Sequence, residues 1–104
     1  MQIELRGMYC KDLEQRSPSD MGNCKLNFEA YIGLLNTETF ETFRFTVITG
    51  AYLVDNPETR WGKGCLIVDR YDWELVEKMV ERQVKIVSAN SWPEAVAQLR
   101  VRMD

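Results

Sequence analysis

Histidine is absent from the 104 residues, and proline (3), cysteine (3) and glycine (6) are scarce. Without histidine the chain lacks the commonest general base and the commonest transition-metal ligand. Cys10, Cys24 and Cys65 are odd in number and form no CxxC pair, which argues against a zinc site and a disulfide framework and for free thiols in a reducing cytoplasm. No apolar run approaches the roughly 18 residues of a membrane-spanning helix. The first ten residues carry Glu4 and Arg6 and no apolar signal core, which argues against secretion. Lysine and arginine (13) are outnumbered by aspartate and glutamate (16), giving a net charge of −3, the wrong sign for a nucleic-acid footprint. Phosphate loops, dinucleotide fingerprints and nucleophile elbows are missing too. The expectation is a cytoplasmic protein with no cofactor, no metal, and no nucleic-acid or membrane partner.

What is present is an ordinary globular composition, 45% apolar and 28% charged, in one domain spanning 1–104. The organising stretch runs over 61–87. The turn Trp61-Gly62-Lys63-Gly64 leads into Cys65-Leu66-Ile67-Val68, an apolar, partly β-branched run that reads as a central strand buried on both faces. Cys65 is then a small core residue. From Trp73 the period changes: Trp73, Val76, Val80, Val84 and Val87 form one stripe of a helix, with Glu74, Lys78, Glu81, Arg82 and Lys85 off it.

Upstream, residues 2–9 alternate as a first strand, and 11–23 hold loop-forming Ser17, Pro18, Ser19, Asp20 and Gly22. In 25–32, Leu26, Phe28, Ala30 and Ile32 face one way and Lys25, Asn27, Glu29 and Tyr31 the other; 40–48 repeats the pattern with Phe43, Phe45 and Val47. An antiparallel hairpin follows. Residues 49–54 read as one helical turn stopped before Pro57. Ser91-Trp92-Pro93-Glu94 is a capping box opening a last helix whose face is Trp92, Val96, Leu99 and Met103. The fold class is α+β: an antiparallel sheet of about four strands with two helices packed on one face.

The candidate site residues gather around the organising stretch. Asp69, Asp72 and Glu74 sit at the strand-to-helix junction, where helix capping explains two of the three more simply than acid–base chemistry. Asp55 and Glu58 could join them in an acidic rim. Trp73 and Trp92 head apolar stripes, whereas Trp61 lies in a polar loop between Arg60 and Gly62 and is the best candidate for an exposed aromatic anchor. Gly62-Lys63-Gly64 reads as a plain turn rather than an anion cradle.

In order and spacing, Phe28-x-x-Tyr31-Ile32-Gly33, Glu41-x-Phe43-x-Phe45-x-Val47-x-Thr49, Tyr52-Leu53, Trp61-Gly62-Lys63-Gly64-x-Leu66-Ile67-Val68, Tyr71-Asp72 and Ser91-Trp92-x-Glu94-x-Val96-x-x-Leu99 resemble the bacterial immunity protein 8 family. The resemblance implies a small α+β cytoplasmic protein that neutralises a partner toxin of a polymorphic toxin system. The family pattern often continues past the last helix into an aromatic and acidic tail; this sequence stops at Met103-Asp104, so contacts made by that tail would be missing.

Three function classes follow. The first is an immunity protein binding a cognate toxin domain without turnover, through 55–63 and the following junction, with partner-binding residues Trp61, Asp55, Glu58, Asp69 and Asp72. The second is another small binding or regulatory module without catalytic activity. The third is a small enzyme using Asp69 or Asp72 as base or Cys65 as nucleophile, against which stands an apolar run that would keep the Cys65 thiol inert.

Overall fold

The computed structural model describes residues 1–13, 18–57 and 64–104. Four strands lie side by side in chain order: β1 (Ile3–Cys10), β2 (Lys25–Leu34), β3 (Phe40–Thr49) and β4 (Cys65–Val68). β1–β2 and β2–β3 are antiparallel, and β3–β4 is parallel. Among the described residues three helices complete the α+β fold: α1 (Gly50–Asp55), α2 (Trp73–Lys85) and α3 (Trp92–Arg100).

The alternation of β2 and β3 sets the two faces of the sheet. Register places Leu26 opposite Val47, Phe28 opposite Phe45 and Ala30 opposite Phe43; all six are buried. Over this face lies α2, whose Val76, Val80 and Val84 are buried as the stripe predicts. Trp73 is partly buried against the same core, and Val87 packs on it from just beyond the helix end. α3 adds buried Ala95 and Leu99, with buried Met103 past its last turn and Arg100 4.6 Å above the Phe43 ring. Phe28 is the hub: its ring stacks on Phe45 at 5.3 Å and meets Trp73 at 5.6 Å and Tyr71 at 6.3 Å.

Each helix starts where its cap residue directs. Asp72 accepts the Glu74 N–H, Ser91 accepts the Glu94 N–H, and Thr49 accepts the Tyr52 N–H. The Glu94 carboxylate returns to the Asn90 N–H at 3.2 Å, so the capping box closes one residue further out than the reciprocal pairing at Ser91.

β4 corrects the expectation of a central strand buried on both faces. It is the last strand of the sheet, and of its four residues only Val68 is buried. Leu66 and Val68 follow their partners Val47 and Thr49 onto the helix side, while Cys65 and Ile67 follow Thr46 and Ile48 onto the other face, where both are exposed. Cys65 is therefore not a core residue. An apolar run states that a strand avoids water; it does not state whether the neighbouring position in the sheet is filled.

Candidate functional site

The site grows out of the turn between β4 and α2. Tyr71 is the nail that fixes it: its side chain is 2% exposed, against Phe28, and its N–H donates to the Met21 carbonyl at 2.6 Å. With Tyr71 driven inward, the flanking Asp69, Arg70 and Asp72 are turned out to the surface. Asp72 Oδ1 accepts the Glu74 N–H at 3.0 Å, so this aspartate is first of all the helix cap, placed at the positive end of the α2 dipole.

The outcome is an open cleft of about 840 Å³ between β4 and the first two turns of α2. Met21, Leu66, Ile67 and Val68 line one side; Trp73, Leu75 and Met79 line the other; Asp69, Arg70, Asp72 and Glu74 stand at one end. Three carboxylates against one guanidinium make that end acidic.

The structure thus brings Asp69 and Asp72 together and holds Asp55 elsewhere. Asp55 closes α1, is exposed, and accepts a hydrogen bond on Oδ2 from Asn23 Nδ2 at 2.7 Å. Asn23 lies two residues from Met21, whose carbonyl holds Tyr71, so one short segment ties Asp55 and the junction to the same scaffold. Glu58 and Trp61, the other two candidates, lie outside the described residues.

As chemistry, the cleft is poor. Asp69 and Asp72 are exposed, without the enclosing pocket that sets an acid against a base. Cys65 is exposed on β4, and a chain without histidine offers it no imidazole base. Among the described residues there is no group of three or more His, Cys, Asp or Glu that could hold a metal ion, and no helix long and apolar enough to cross a membrane. As a surface the cleft is better provided: an apolar lining and a charged end suit a protein partner.

Sequence reasoning missed Leu75 and Met79. Both are apolar, four residues apart and off the main stripe, which is the signal of a second apolar flank on α2. It also missed the aromatic character of the sheet face turned away from α2. Tyr9 and Phe40 are half exposed there, and Phe40 meets Tyr31 edge-on at 6.4 Å. Beside them Glu29 is held between Arg44 Nε (3.4 Å) and Lys11 Nζ (3.7 Å). Burial and the neighbouring Glu29 carboxylate push the Tyr31 hydroxyl up from its ordinary value.

Comparison with curated proteins and with solved structures returns no match. The sequence pattern of the family described as Immunity protein 8 does match, over residues 2–103. That span takes in every strand and helix described above, and the chain belongs to the immunity protein 8 family.

Proposed function

We propose that this chain is a bacterial immunity protein acting in the cytoplasm. It binds the cognate toxin domain of a polymorphic toxin system in a stoichiometric complex, neutralises it, and catalyses nothing. The observation that carries this reading is the family match over residues 2–103. The net charge of −3 supports it, because an acidic protein is attracted to a basic toxin domain and complementary charge speeds encounter and discriminates partners. The partner-binding surface is the acidic end of the cleft, with Asp69 and Asp72, and it extends to Asp55 at the end of α1 and to Glu58, with Trp61 as aromatic anchor.

The test is co-expression with the C-terminal domain of the protein encoded immediately upstream. Rescue of growth and a co-purifying one-to-one complex are expected. If that domain is toxic and this chain neither protects the cell nor binds it, the reading fails.

A further inference from the structure

The cleft is bordered by a strand whose outer edge has no partner among the described residues. β4 ends the sheet. The Thr46 N–H donates to the Gly64 carbonyl at 2.7 Å, and Thr46 stands opposite Cys65. In a parallel ladder a residue bonds the two neighbours of its partner, so Gly64 and Leu66 turn their backbone groups toward β3. Cys65 and Ile67 therefore turn theirs away from the sheet. Edge strands are usually guarded by shortness, charge, proline or a bulge; β4 is short, four residues, but reads Cys-Leu-Ile-Val and carries no charge, proline or bulge. Ile67 is 52% exposed, and Leu75, across the cleft on α2, is 41% exposed. At the C-terminal end of β4 the acidic groups Asp69, Asp72 and Glu74 outnumber Arg70.

We propose that the toxin domain docks by adding an extended segment to the free edge of β4. Backbone groups of that segment pair with Cys65 and Ile67. Its alternate apolar side chains rest on Leu75 and Met79, and lysine or arginine at its end meets Asp69, Asp72 and Glu74. Strand addition of this kind takes affinity from the main chain and specificity from alternate side chains. The charge imbalance selects a basic segment over a neutral one. This inference rests on the immunity reading.

The probe is the C-terminal domain of the upstream-encoded protein, carrying an inactivating substitution. Two measurements are made on the wild-type chain first: affinity, and hydrogen exchange over 65–68 with and without the probe. Exchange there is expected to slow on binding. Ile67→Pro removes an outward N–H while leaving the bonds to β3 in place, and should weaken binding roughly thirtyfold, in the range of a hot spot. Asp69→Lys with Glu74→Lys should slow association about tenfold at low salt. Phe40→Ala, equally exposed on the same face of the sheet but at the end of β3 that β4 does not reach, should change nothing. Should Ile67→Pro fail to fold, the exchange measurement and the charge reversals decide alone. Wild-type binding with unprotected 65–68 and unaffected variants overturns strand addition and leaves the immunity function standing. A wild-type chain that is a dimer with 65–68 already protected puts a second copy on the edge and overturns the proposal. No binding by the wild type overturns both readings.

Discussion

Thr49 shows how much one side chain can hold. It is fully buried, and its Oγ1 accepts the Cys24 N–H at 3.0 Å and the Tyr52 N–H at 3.3 Å while lying 3.4 Å from the Cys24 carbonyl. One hydroxyl thus starts α1 and joins the ends of β2 and β3. Thr49→Val keeps the shape and strands two donors, so a loss of about 1–3 kcal/mol is expected in urea unfolding. Trp73 acts through area instead. The ring is only partly buried, against Phe28 and the core, so Trp73→Ala should cost about 2–4 kcal/mol, somewhat under the full burial range, and lower the melting temperature. Leu75→Ala, on the cleft wall, should stay within about 1 kcal/mol. The thiols divide the same way. Exposed Cys65 should react with iodoacetamide in the native protein, while Cys10 and Cys24 wait for unfolding. Fast labelling of Cys65 therefore reports exposure rather than catalysis. Burial pushes the Cys10 and Cys24 thiols up from their ordinary 9.0. Above pH 9.0 the unfolded chain releases these protons before the folded one does, so stability is intact below that pH and falls as pH rises toward the native values. Melting temperatures at pH 8 and 10 should separate, and less so in Cys10→Ala with Cys24→Ala.

Elements were legible in proportion to how local their causes are. β2 and β3 bury one face each, so strict alternation marks them and their register follows from the hairpin between them. α2 and α3 declare themselves through period and cap, although the sequence leaves Asp69 and Asp72 both open as the cap of α2, and the structure gives that role to Asp72. Removing that cap in Asp72→Ala should cost about 1 kcal/mol and fray the first turn of α2, visible as faster hydrogen exchange there. β4 was not legible in the same way. That Cys-Leu-Ile-Val is a strand is a local fact; that it lies parallel to β3 at the end of the sheet is a tertiary one, which no residue within it states. The candidate site inherits that difference. Asp69 and Asp72 share a junction and were found together, whereas the apolar cleft beside them lies along the side of β4 that no described strand fills, and Leu75 and Met79, four apart on α2, were the hint of it.

At the scale of the whole molecule, charge decides more about encounter than about fold. The net charge of −3 is small, but the carboxylates at the cleft concentrate part of it where a partner would arrive. Attraction between exposed charges acts over the Debye length, about 30 Å at 0.01 M salt and about 3 Å at 1 M. Contacts sealed from water after docking are screened much less. If the acidic end steers a basic toxin domain onto the cleft, the association rate should fall steeply with added salt while the dissociation rate changes little. Stopped-flow association of the inactivated toxin domain over that range measures both. An association rate flat in salt would mean that apolar surface alone brings the partners together, and that Asp69 and Glu74 stand beside the interface rather than in it. The double charge reversal then gives the sign. In wild type, salt should slow association; with Asp69→Lys and Glu74→Lys the local field turns positive, and salt should speed it.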